Sequence, residues 1–177
     1  MSAAASPYAF DFALGLIGAL GWIAVLTHAV RHPAARLWPP RQPSILTVIW
    51  SWGLTIVIYI SLVRLGSSVG NTLGLSAFVR WGIGGTLAIS GSLFHSWATS
   101  TLGLKATSGW PAARCTRGPY AFCAHPQYIG QGLSFVGLAL IAGAPHALII
   151  AALGCLALAF AARVEATHLN AHHPTHT

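Results

Sequence analysis

The sequence predicts an all-α integral membrane protein of five transmembrane helices. Two observations carry that expectation. Only 6% of the 177 residues are charged while 55% are hydrophobic, whereas about a quarter of the residues in a soluble domain are charged. The apolar residues also fall into blocks long enough to cross a hydrocarbon core of roughly 30 Å at 1.5 Å per residue.

The first three blocks, Phe10–Val30, Ser44–Val63 and Phe78–Trp97, contain Asp11, Arg80 and no other Asp, Glu, Lys or Arg. Asp11 stands near the start of the first block and Arg80 near the start of the third. Gln127–Gly143 and Pro145–Ala162 supply the fourth and fifth. Gly143-Ala144-Pro145 leaves room between these last two only for a tight turn, so they are expected to form a helical hairpin. Ahead of Phe10 there is no positive residue, and Arg31, Arg36 and Arg41 follow the first block. That is the reverse of a secretory leader, so the block is expected to be a retained helix with its N-terminus outside. Arg31, Arg36, Arg41, Lys105, Arg114, Arg117 and Arg163 then lie on the cytoplasmic side, and only Arg64 and Arg80 on the other. The formal net charge of +7 is thereby read as topology, with a cytoplasmic C-terminus. Nucleic-acid binding requires a soluble basic face, which this pattern does not offer. The chain reads as one membrane domain over residues 1–177, without an internal repeat.

Cys115, Cys123 and Cys155 show no CxxC spacing and read as small hydrophobes. The nine histidines raise a metal reading: His28 and His32 are four apart, His168 is followed by His172 and His173, and Glu165-x-x-His168 has the spacing of di-iron bundles. His95, His125 and His146 stand alone, so no metal site is assigned.

The polar residues gather instead between the third and fourth blocks and after the fifth, over 98–130 and 163–173. Gly118-Pro119 marks a turn, and Pro126 suits the first turn of a helix because its missing N–H needs no partner there. The fourth helix is therefore expected to start at His125-Pro126, with Tyr128, Gly130 and Gln131 in its first turns. Its free N–H groups and positive dipole end form a site for a carboxylate or phosphate. If the last two helices form a hairpin, Glu165 comes near His125 and Tyr128. Glu165 is one of only two acids in the chain, the other being Asp11.

Gly118-Pro119-Tyr120, then His125-Pro126-x-Tyr128-x-Gly130 at a helix start, then Glu165 after the last helix, resembles the integral-membrane methyltransferases of the isoprenylcysteine carboxyl and phospholipid types. The likeness runs from about Trp97 to His173. It implies an S-adenosylmethionine site in the C-terminal half and a lipidic or small apolar acceptor entering from the bilayer. Carried over, Gly118, Pro119, Tyr120, His125, Pro126, Tyr128 and Gly130 would line the cofactor site, and Glu165, His168 and Leu169 would close it from the tail. Glu165 would take the cofactor's ammonium, an aromatic face such as Tyr120 or Tyr128 its sulfonium, and the helix N-terminus with Arg117 its carboxylate. The resemblance assigns no catalytic residue. Ala124 stands where the family usually has Arg before His-Pro, and Ala166 where it often has a second acid. If the missing Arg orients an anionic acceptor in the family, its absence shifts the expected acceptor away from a prenylcysteine carboxylate, towards a lipid amine, phenol, thiol or other small apolar nucleophile. The readings kept beside this one are an NADPH-dependent lipid double-bond reductase, a di-iron oxidase and a non-enzymatic membrane subunit.

Overall fold

A computed structural model describes residues 8–112 and 115–172, with side chains to Thr167. Arg114 and the side chains of His168 and Leu169 lie outside the described residues. Five long helices appear, and no strand is present among the described residues. The first two are α1 (Ala9–Arg31) and α2 (Ile45–Ser68). A wide-wound segment, Phe78–Gly84, runs straight into α3 (Gly85–Leu102), and a single turn, α4 (Leu104–Thr107), follows. A short tight turn, Gly118–Ala121, then leads to α5 (Pro126–Ala142) and α6 (Pro145–His172).

The expectation of five membrane-crossing helices is corrected to three. Among the described residues, only α1, α2 and Pro145–Thr167 of α6 are long and apolar enough to cross a membrane. Its 17 residues leave α5 short, because Gly143 turns the chain in the left-handed conformation (φ +63°) directly after it. Serines and threonines dilute α3, where Ser90, Ser92, His95, Ser96, Thr99, Ser100 and Thr101 occupy a large share of the helix. The other helices overrun their apolar blocks at the C-terminal end. In α2 the winding continues past Val63 to Ser68, and in α6 past Ala162 to His172.

At the centre stands α5, which packs on α3, α6 and α2, while α1 packs on α2 and α6. Between α5 and α6 only Gly143 and Ala144 intervene, so the pair is the expected hairpin. The core between α1, α2, α5 and α6 is built on Ile58, Leu62, Leu65, Phe135 and Ile150 with a floor of alanines. At one end Asp11 is buried and paired with Arg64, and its second carboxylate oxygen accepts from Ser68 Oγ at 3.1 Å. Glu165 lies at the other end, with Trp38 of the α1–α2 connection. The two acids of the chain therefore anchor opposite ends of the bundle.

The contact between α3 and α5 is of a different kind. An added Cβ on Gly91 would stand 2.6 Å from the carbonyl oxygen of Gly130, and one on Gly130 would stand 2.5 Å from the backbone N of His95. The backbones touch because these positions carry no side chain, which is how helices associate where lipid removes the hydrophobic drive between them. A methyl group on Gly137 would collide with the backbone of Gly84 at 2.6 Å and with Ala88. Gly137→Ala should therefore cost about 1–3 kcal/mol, read as a lowered unfolding midpoint in detergent. Gly53 has nothing within 4 Å of an added Cβ. There the same substitution should be neutral or gain up to about 1 kcal/mol through helix propensity.

Candidate active site

Pro126 opens α5 at its first helical position, with His125 as the residue before it. The His125 side chain makes no capping bond; its carbonyl accepts from the N–H groups of Tyr128 at 3.2 Å and Ile129 at 3.3 Å. Its imidazole is thus free to turn towards α6, where Nδ1 lies 3.4 Å from Glu165 Oε2. One turn along α5, the Tyr128 ring stacks on His125 with centroids 5.7 Å apart, and its hydroxyl donates to Glu165 Oε1. The same oxygen accepts from Trp38 Nε1 at 3.0 Å. Glu165 is only 18% exposed. A carboxylate so far out of water needs partners, and among the described residues it finds three: Trp38 of the α1–α2 connection, His125 just before α5 and Tyr128 within it.

Trp38 reaches this place because its connection is folded back on itself. Arg36 Nε donates to the Pro39 carbonyl at 2.7 Å, and Arg41 to that of Ala34 at 3.3 Å. The indole packs edge-on against Trp22 at 5.3 Å and sits 6.1 Å from Trp50. Gly109, in the left-handed region at φ +86°, passes so close to Pro40 and Trp38 that an added Cβ would lie 2.7 Å and 3.0 Å from them. The two connections at this end of the bundle are therefore in contact.

Behind the Trp38–Tyr128 wall lies a cavity of about 640 Å³, counting its open mouth. Trp22, Trp38, Trp52, Tyr128 and Phe135 give it aromatic walls, and Gly154, Ala157, Leu158 and Ala161 of α6 a smooth one. Ser51, Thr55, His95, Thr107, Gln127 and Gln131 are its polar points, and among the described residues no Asp, Glu, Lys or Arg lines it. Trp52 Nε1 is tied to Ser108 Oγ at 3.0 Å and Trp22 Nε1 to Thr55 Oγ1 at 3.2 Å. The aromatic walls are thus fixed in place. His95 Nδ1 contacts the Gln127 carbonyl at 2.9 Å.

Of the site residues read from the sequence, the structure brings His125, Tyr128 and Glu165 into one network. Tyr120 joins through α5, its hydroxyl donating to Gln127 Oε1. Burial pushes the Tyr120 phenol well above its usual range, and Cys115, Glu165 and Cys123 nearby add to the shift. Tyr120 is thereby a neutral donor. Gly118 holds φ +55° against Thr101, and Pro119 and Pro126 are buried. Gly130 faces α3 in the backbone contact with Gly91 and His95. Arg117 is exposed on extended backbone. Trp38, Gln127, Gln131 and His95 were not singled out by sequence reasoning. A signal did exist for Trp38: a tryptophan before two prolines in an otherwise basic connection.

A family model described as phospholipid methyltransferase matches residues 79–175, more than half of the chain. The chain belongs to the phospholipid methyltransferase family. The matched segment holds α3, α5, α6 and every residue of the Glu165 network except Trp38. No curated protein and no solved structure matches the chain. Among the described residues no three His, Cys, Asp or Glu side chains are grouped to hold a metal ion. The His28 and His32 rings meet at a tilt of 43° with centroids 4.8 Å apart, without a third ligand among those residues.

The shared oxygen of Glu165 makes a direct prediction. Trp38→Phe keeps the ring and removes one donor to a charged acceptor, which should lower stability by about 1–3 kcal/mol. In a Glu165→Gln background the same substitution should cost at least about 0.5 kcal/mol less. Unfolding midpoints of the two single variants and the double variant measure the coupling; strict additivity would separate Trp38 from the network.

Proposed function

We propose that this membrane methyltransferase takes its methyl group from S-adenosylmethionine at the Glu165 end of the bundle and delivers it to a lipid-soluble acceptor in the aromatic cavity. The observation that carries the reading is a half-buried carboxylate placed beside an uncharged, aromatic-walled cavity. The residues present fit the donor. Among the described residues Glu165 Oε2 has only His125, at 3.4 Å, which leaves lone pairs for the donor's ammonium. His125, when protonated, and the first N–H groups of α5 suit its carboxylate. The faces of Trp38 and Tyr128 suit a sulfonium. The amides of Gln127 and Gln131 and the Thr107 hydroxyl suit the ribose and the base.

Bound there, the donor supplies an electrophilic methyl carbon on a positively charged sulfur. The protein's own part is to orient and to exclude water. Methyl transfer is an in-line displacement, so rate comes mainly from holding the two reactants in attack geometry. Trp22 and Trp52, pinned by their N–H bonds, keep the acceptor's side of the cavity rigid. The smooth α6 wall, with Gly154 and Ala157, leaves room for an apolar chain. Glu165 acts in this reading as a binding group for the ammonium.

The site would face the cytoplasm, with α1 entering from the other side. The seven basic residues placed on the Glu165 side by sequence, against Arg64 and Arg80 opposite, support that orientation. A cysteine introduced at Ser67 should react with an impermeant thiol reagent only from the outer face, and one at Thr175 only from the inner. Labelling of Ser67→Cys from the cytoplasm would reverse the arrangement.

Calorimetry in detergent should show binding of S-adenosylmethionine, and labelled donor should pass its methyl group to a component of a lipid extract. Glu165→Gln keeps shape and one acceptor oxygen but removes the charge. It should weaken donor binding by about 2 kcal/mol, roughly thirtyfold. Binding of NADPH in place of the methyl donor would overturn the reading in favour of a reductase.

A further inference from the structure

One lining residue has no part in the donor site just described. His95 sits on α3 across the cavity from α1, and its ring is held by a single strong bond. Nδ1 lies 2.9 Å from the Gln127 backbone carbonyl. A carbonyl oxygen only accepts, so in the neutral ring the proton is on Nδ1, and Nε2 carries a bare lone pair. The nearest partner of Nε2 is the Thr99 hydroxyl at 3.5 Å, at the limit of hydrogen bonding. Among the described residues the cavity has no carboxylate or lysine in its lining, and the other ionisable lining group there, Tyr128, is committed as a donor to Glu165. The ring is thus oriented by a backbone group, with its basic nitrogen poorly engaged on the wall of an uncharged cavity. A base held by a third group in this way is a recurring arrangement for proton transfer.

We propose that His95 Nε2 is the proton acceptor for the methyl acceptor, and that the acceptor is therefore a protic nucleophile, bearing N–H, O–H or S–H, rather than a carboxylate. This rests on the methyltransferase reading. The acceptor's heteroatom lone pair forms the new bond to the methyl carbon. The carbon–sulfur bond breaks with its electron pair left on sulfur, so the sulfonium becomes a neutral thioether. The proton on the heteroatom moves to Nε2, giving an imidazolium that later releases it to water. The Gln127 carbonyl faces the Nδ1–H throughout and steadies the charged ring. A carboxylate acceptor has no proton to lose and gains nothing from such a residue.

Other titratable groups surround the site. Tyr128 comes from α5, His125 from the residue just before it, Glu165 from α6 and Tyr120 from the 118–121 turn. The described part of α4 brings Lys105, which is exposed, and the wall from α1 and α2 brings none. The experiment separates His95 from them by variants and by tautomer. In detergent-solubilised protein labelled with 15N-histidine, one imidazole should show a protonated Nδ1 and a bare Nε2, and that signal should vanish in His95→Gln. With labelled donor and a set of acceptors sharing one alkyl chain but ending in amine, phenol, thiol or carboxylate, turnover should be confined to the protic ends. His95→Gln should lower kcat by about 10²- to 10⁴-fold. Its donor affinity should stay within about threefold of the parent, and the acidic limb of the pH–rate profile should disappear. His125→Gln should retain that limb at whatever rate it shows, and imidazole added to His95→Ala should restore turnover in a saturable way. A proton on Nε2, an acidic limb that survives in His95→Gln, or turnover of the carboxylate alone would overturn the proposal while leaving donor binding as evidence for the methyltransferase. Absence of donor binding by the parent protein would instead sink the functional reading beneath it.

Discussion

The carboxylate of Glu165 is the point on which this end of the molecule depends. A charge largely removed from water is expensive unless several donors meet it, and the donors come from parts of the chain that otherwise have little to do with each other. Trp38 belongs to a connection, His125 and Tyr128 to the start of α5, and Glu165 to the last helix. Each is held where the others require it. The tryptophan that satisfies the carboxylate is also a wall of the cavity, and so is the tyrosine. Polar satisfaction and cavity shape are one constraint here.

A second dependence runs through α5. Gly91 and Gly130 let α3 come within backbone distance, and only at that separation does the His95 ring reach the Gln127 carbonyl. Gly130, which motif reasoning places among the cofactor contacts, acts in this structure through the distance between two helices. The pairing of Ser92 with Ser134 at 3.1 Å belongs to the same seam.

Much of this was legible in the sequence. The apolar blocks give the helices, Gly143-Ala144 gives the hairpin, and Pro126 gives the start of α5. Scarcity of acids drew attention to Glu165, and hairpin geometry then placed it near His125 and Tyr128. The number of crossing helices was not legible from block length. Counting Lys, Arg, Asp and Glu overlooks the hydroxyls that dilute α3, and it cannot show where α5 stops. Trp38 and His95 were missed for another reason. Their partners are 127 and 32 residues away in the chain, and the partners are a carboxylate reached only by a folded-back connection and a backbone carbonyl with no side-chain signature. Periodicity reports on which face of a helix is apolar, and says nothing of such meetings.

The distance in sequence between Trp38 and Glu165 has a meaning for how the molecule is made. Trp38 precedes Glu165 by 127 residues in the chain, so translation delivers the indole well before the carboxylate. Until α6 packs into place, the indole N–H and the Tyr128 hydroxyl lack this anion, and the wall of Gly154, Ala157, Leu158 and Ala161 is missing from the cavity. Docking of α6 therefore supplies the carboxylate and the remaining wall of the cavity together.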